Sequence, residues 1–375
     1  MGFNSTDYSA GVGTETIISP VTLSSDWSRV ARLLLVVGLA VIGSVGNVYM
    51  VSAGMIEEHL KKKGNILLVN TALADLLITG LVMPASATVI LAGLHDSPPV
   101  CTFQWFLASL CWLVTVLTIL ATAIENYARI CFSADSYAPA FTSTRITIAV
   151  LAIWLLSGCA VTAQVTYNLG PDYCTRKFSG TFSYQVTVAI LFVILPTILT
   201  SGFYLRTTLH VRQTKSDPSF KPPITFSWDY SLMKTNFYSF IVFLIFWLPF
   251  GVILGIGNIQ KINPRTFYNL AWLALSKSCI NNFLYCITNR HFRNAYVNLF
   301  HYCCCKTTVA FSRRSRAEPS RPTGDVRVHI IPGYNMYSYT SPQRARETGK
   351  TSAGKRSTGT ARGAGRSNGR DVYQL

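Results

Sequence analysis

Charge is what this sequence has least of. Only 13% of its 375 residues are Asp, Glu, Lys or Arg, against about 25% in a typical soluble domain. The shortage is local. Positions 33–56, 97–124, 146–171, 178–205 and 235–260 hold no charged residue, and 64–95 and 266–289 hold one each, Asp75 and Lys277. Each of these seven intervals has 24 residues or more, enough to cross a ~30 Å hydrocarbon layer as a helix. Seven buried helices of a soluble protein would each show a polar face, which these lack. The pattern predicts an all-α membrane protein with a bundle of seven transmembrane helices.

Other absences narrow the function. No internal repeat occurs, and Asp75, Glu125 and Lys277 are too few to line a transport pathway, which argues against a channel or transporter. His59, His95, His210, His291, His301 and His329 show no metal-ligand spacing, and no nucleophile–base pair stands out. No enzyme, cofactor or metal is therefore indicated. The first residues have neither the basic start nor the early apolar core of a cleavable leader, so the first span is expected to serve as the anchor.

Basic residues set the orientation. Of 33 Lys and Arg, 26 fall in 54–64, 129–145, 206–234 and the tail from 289, all on one side of a seven-span bundle. Positive residues stay cytoplasmic, which places the N-terminus outside and the tail inside a plasma membrane. The tail from 289 holds 16 basic and 4 acidic residues and faces an anionic inner leaflet rather than nucleic acid.

Topology also sorts the ten cysteines. Only Cys101 and Cys174 fall in outer loops, on the oxidising side, so they are expected to pair. Cys303, Cys304 and Cys305 follow the last span on the inner side, where S-palmitoylation is expected. Asn4-Ser5-Thr6 is an N-glycosylation acceptor in the outer segment 1–28.

The third interval is the organising rod. From Cys101 to Asn126 a helix covers roughly 38 Å, reaching from one membrane face to the other. Asp75, in span 2, is a mid-membrane carboxylate and so a functional candidate. Asn47, in span 1, needs a partner on another helix. Pro249 in span 6 frees a carbonyl and offers a hinge. After span 7, Phe292, Tyr296, Leu299 and Phe300 are spaced for one face of a helix lying on the inner surface. The receptor domain is read as 29–303 and a disordered basic tail as 304–375. Tyr373-Gln374-Leu375 offers a hydrophobic end to a PDZ groove.

Taken together, Gly46-Asn47, Leu73-Ala74-Asp75, Cys101 with Cys174, Glu125-x-Tyr127, Trp154, Pro196 with Tyr204, Trp247-x-Pro249 and Asn281-x-x-x-Tyr285 resemble a rhodopsin-like (class A) G-protein-coupled receptor over residues 29–303. Phe203-Tyr204-Leu205-Arg206 and the loop lengths look most like melatonin receptors and the moody and trapped-in-endoderm orphan group. The resemblance implies an extracellular ligand bound between the outer ends of spans 3, 5, 6 and 7. It also implies an outward swing of span 6 about Pro249, a heterotrimeric G protein as partner, and arrestin as a further one.

Three departures qualify it. Asn126 stands where the family has an arginine, and Asn126 has no charge to hold the closed state. Asp229 on span 6 is then expected to face an amide, leaving a weak restraint, although Arg129 can pair with Glu125 four residues before it. Lys277 stands where a neutral residue lines a sodium pocket, and it is expected to pair with Asp75. Asn282 replaces a proline, which should restore a backbone donor and straighten span 7 while leaving Tyr285 free to turn inward.

For the ligand, the resemblance places Gln104, Ala108, Trp112, Gln164, Trp247 and Trp272 around the pocket. Ala108 lacks the carboxylate that an amine would need. Arg176, Phe178 and Phe192 do not reproduce a melatonin pocket, and Arg176 with Lys177 at the mouth favours an anionic or lipid-like ligand. The alternative reading is a seven-helix adhesion, scavenging or scaffolding receptor with little G-protein coupling.

Overall fold

The computed structural model describes residues 18–19, 21–24, 27–56, 65–94, 97–170, 174, 181–216, 224–256 and 263–305. Asn4, Arg176, Lys177, Phe178 and everything after Cys305, including Tyr373-Gln374-Leu375, lie outside them, as do the side chains of Cys303, Cys304 and Cys305. The chain divides into Met1–Ser312 and Arg313–Leu375, and the second unit lies outside the described residues.

Span 1 is α1, Arg29–Ile56. Span 2 is α2, Asn65–Leu77, a π-helical turn Ile78–Val82, and α3, Met83–Ala92. Span 3 is α4, Pro98–Cys131, followed by the short α5, Ala134–Ala140, and by span 4, α6, Ser143–Thr166. Span 5 is α7, Phe182–Ala189, a π-helical turn Ile190–Ile194, and α8, Leu195–Ser216. Span 6 is α9, Ile224–Ile256, which runs through Pro249 as one helix. Span 7 is α10, Pro264–Ser276, a 3-10 turn Lys277–Cys279, and α11, Asn281–Thr288. The surface helix α12 covers Arg290–Cys305, two residues beyond the 303 boundary expected from sequence.

Spans 1 to 6 are each long and apolar enough to cross a membrane. The α4 rod touches α2, α6, α8 and α9 and so forms the bundle axis. Large apolar residues on the outer faces, such as Leu155 (71% exposed) and Ile198 (63%), suit lipid rather than water. The two π turns share a cause. Each ends two residues before a proline, Pro84 or Pro196. A proline ring clashes with the carbonyl four residues back, and the wider turn relieves that clash.

One expectation is corrected. Span 7 is not straightened by Asn282, because the backbone tightens into the 3-10 turn just before it, with Ile280 N–H donating to the Lys277 carbonyl at 2.9 Å. On α12, Phe292, Ala295 and Leu299 are buried and Tyr296 is half-buried, packed near Met50 and Tyr285, and Phe300 is exposed. Ile18–Ser19 (β1) pairs antiparallel with Leu23–Ser24 (β2), and Val21 at the tip is fully enclosed.

Candidate functional site

At the outer end the helices enclose a cavity of about 590 Å³. All six residues expected from sequence, Gln104, Ala108, Trp112, Gln164, Trp247 and Trp272, line it. Trp112 and Trp247 stack at 5.7 Å and join spans 3 and 6 across its floor. Gln104 donates through Nε2 to the Val82 carbonyl at 2.9 Å and to Ser86 Oγ at 2.5 Å. Gln164 packs against Gly170, where a Cβ would come within 2.5 Å of its amide carbon and would push the side chain aside. No described lining residue carries a formal charge. A disulfide joins Cys101, at the head of span 3, to Cys174 of the loop after span 4.

Below the cavity floor sits a buried ion pair. Lys277 Nζ lies 3.2 Å from both carboxylate oxygens of Asp75, and both residues are 1% exposed. Asn281 donates to Asp75 Oδ2 at 2.7 Å, and Ser239 of span 6 donates to Asn281 Oδ1 at 3.1 Å. The 3-10 turn brings Lys277 and Asn281 to the same carboxylate. Removing either partner of such a pair would leave a charge without compensation in a low-dielectric interior. Phe243 places its ring 5.9 Å from Lys277 Nζ and is a wall of the cavity above.

Toward the inner face the contacts become amides and hydroxyls. Tyr285 donates to Asn236 Oδ1 at 2.7 Å, Asn236 donates to Asn126 Oδ1 at 3.4 Å, and Thr288 contacts Thr235 at 3.0 Å. These bonds tie spans 3, 6 and 7 together. Among the described residues, Asn126 Nδ2 and both polar atoms of Asn282 have no hydrogen-bond partner. Asn282 instead packs against Gly46, where a Cβ would come within 2.5 Å of Asn282 Nδ2. Tyr204 is buried and stacks near Phe240, and Tyr127 meets Phe203 and Phe132.

The expected pairing of Asp229 is corrected here. Asp229 faces a cation, not an amide: Arg129 Nη1 stands 3.6 Å from Asp229 Oδ1, an ion pair longer than a hydrogen bond. The same guanidinium is bonded to Glu125 Oε1. Arg129 lies three residues beyond Asn126, one turn nearer the inner face, and its long stem spans the difference. Tyr137 of α5 donates to Glu125 Oε1 at 2.5 Å. Burial, and then the Glu125 carboxylate, push the Tyr137 hydroxyl above the usual phenol value, which keeps it a donor.

Asn236, Ser239 and Tyr137 were missed by the sequence reading. Asn236 and Ser239 were detectable as two polar residues three apart inside an uncharged span, the spacing of one helical face. Tyr137 had no such signal, since only the turn after span 3 brings it back to Glu125.

The family profile of the 7 transmembrane receptor (rhodopsin family) matches residues 46–285. Melatonin receptor type 1B-B of Danio rerio is 26% identical over 321 residues, covering 80% of this chain and 88% of its own. Melatonin receptor type 1A of Ovis aries is 27% identical, covering 76% and 81%. Melatonin receptor type 1B of Rattus norvegicus is 28% identical, covering 74% and 79%. The matched segment runs from Gly46 to Tyr285 and takes in the ion pair and the inner-face amides, and the chain belongs to the rhodopsin family of seven-transmembrane receptors.

Proposed function

We propose that this protein is a cell-surface receptor, with its N-terminus outside and its tail in the cytoplasm, that binds an extracellular ligand in the outer cavity and signals to a heterotrimeric G protein. One observation carries the reading: polar contacts descend without a wide gap from the cavity floor to the inner face. They pass from Phe243 and Lys277 through Asp75, Asn281 and Ser239, then through Tyr285, Asn236 and Asn126. A ligand that favours one packing of Trp112 against Trp247 thereby biases spans 6 and 7. It shifts the equilibrium only as far as its affinities for the two arrangements differ.

In the resting arrangement Arg129 does the work of the missing arginine. It ties Glu125 of span 3 to Asp229 of span 6, and the outward swing about Pro249 separates the pair. Lys277 takes the place of sodium at Asp75. The uncharged wall favours a ligand whose buried part is neutral and largely apolar. The relatives' names make melatonin the first compound to test; Phe192 and the other mismatched positions predict that it does not activate.

The test is guanine-nucleotide exchange by a panel of G proteins on the full chain in lipid nanodiscs. Exchange above that of empty nanodiscs is expected for at least one G protein. Its absence across the panel, with correctly folded receptor, would favour the second reading, a scaffolding receptor working through arrestin. That reading draws on the uncharged Asn126 and the unbonded Asn282 at the inner end.

A further inference from the structure

Span 6 is joined to the chain that follows it by a row of contacts, and the receptor reading uses only the upper part of that row. Trp228, Leu232, Thr235, Asn236 and Ser239 recur every three or four residues and so share one face of α9. Descending toward the inner face, Ser239 meets Asn281 at 3.1 Å, Asn236 meets Tyr285 at 2.7 Å and Thr235 meets Thr288 at 3.0 Å. Below these the partner changes from span 7 to α12. Leu232 packs on the cluster that holds Phe292, Ala295 and Leu299, and the Trp228 ring stacks on His291, with centroids 3.2 Å apart and planes 21° apart.

The bend before His291 fixes its position. Asn289 has extended backbone, φ −124° and ψ 110°, which ends α11. Its side-chain carbonyl accepts the His291 backbone N–H at 3.0 Å, an N-cap that starts α12. Asn289 is itself buried, so the cap is held inside the protein.

We infer that Trp228 and His291 are positioning residues for the switch: their stack clamps the inner end of span 6 to α12, a second restraint beside Arg129 and Asp229. The inference rests on the swing about Pro249 proposed above. Trp228 and Asp229 are neighbours, about 100° apart round the helix. Span 6 is therefore held toward α12 through one and toward span 3 through the other. At about 1.5 Å per residue, Trp228 lies roughly 31 Å below Pro249 and Ser239 roughly 15 Å. A tilt of about 10° at the proline then carries the Trp228 ring roughly 5 Å, about twice the shift at Ser239. The stack is thus the first rung to part. An aromatic pair lost there changes the open population roughly two- to tenfold.

The test reads the clamp without a G protein. Amide hydrogen exchange of the full chain in lipid nanodiscs is followed over residues 226–234. Trp228→Ala and His291→Gln are each expected to exchange there roughly two- to tenfold faster, with the amides of span 4 unchanged. The double variant should be no faster than either single, because both remove one contact. His291→Phe keeps a ring and should restore protection to within about twofold of the parent. Unchanged exchange in either single, an additive double, or His291→Phe as fast as His291→Gln overturns the clamp. If Trp228→Ala does not reach the membrane, His291→Gln and His291→Phe carry the comparison. Basal nucleotide exchange on the same variants should rise with amide exchange. Faster amide exchange with no G-protein response supports the clamp and tells against the receptor reading, so the two fail separately.

Discussion

The two halves of this bundle are built from different materials. The outer half is a room with uncharged walls, shaped by tryptophans, phenylalanines and small residues. The inner half is filled by paired carboxylates, cations, amides and hydroxyls. Apolar packing is non-directional and tolerates a range of shapes. Buried polar groups tolerate few, because each needs a partner at a set distance. The outer half can therefore accept small changes of shape, whereas the inner half is restricted to discrete pairings.

The largest test of that contrast is the ion pair. Lys277→Met should destabilise the receptor by about 3–5 kcal/mol by leaving Asp75 unpaired, and adding Asp75→Leu should restore most of the loss. Thermal unfolding in detergent reads both. A double variant as unstable as the sum of the singles would show that the inner half does not depend on pairing.

Next is close approach. Gly46→Ala would drive a methyl group into Asn282 and should cost about 1–3 kcal/mol. Gly158→Ala has nothing within 4 Å and should be neutral or stabilising by about 0.5–1 kcal/mol through helix propensity. Similar melting points for the two would remove the distinction between packed interior and lipid-facing surface.

The smallest effect is expected at the inner rim. Arg129→Gln and Asp229→Asn should each loosen span 6 by about 0.5–1 kcal/mol, since the pair is partly exposed and 3.6 Å apart. Basal nucleotide exchange should then rise roughly two- to fivefold, and the double variant should add little more. Additive rises would mean that the two residues act separately.

Much of this was legible in the sequence. The seven spans follow from the charge-free intervals, since lipid admits few other backbones than closed helices. The Asp75–Lys277 contact was legible because a lone acid and a lone base in membrane spans have little else to pair with. The partner of Asp229 is not legible in the sequence, because the family's pattern points to the vacated position, Asn126. A helical rise of a few ångströms and a flexible arginine stem moved the contact to Arg129. The 3-10 turn in span 7 is not legible either, because losing a proline removes one cause of bending and says nothing about the pull of Lys277 and Asn281 on one carboxylate. The buried tip at Val21 had no local signal at all.

By itself, the order of residues determined that this chain crosses a membrane seven times and which faces of its helices are polar. Hydrophobic length and charge asymmetry are properties of the chain alone. The tertiary structure decided which polar groups meet: Arg129 with Asp229, Tyr137 with Glu125, and Asn236 with both Asn126 and Tyr285. Those contacts join different helices, so they exist only once the helices have packed and each buried donor has sought an acceptor within reach.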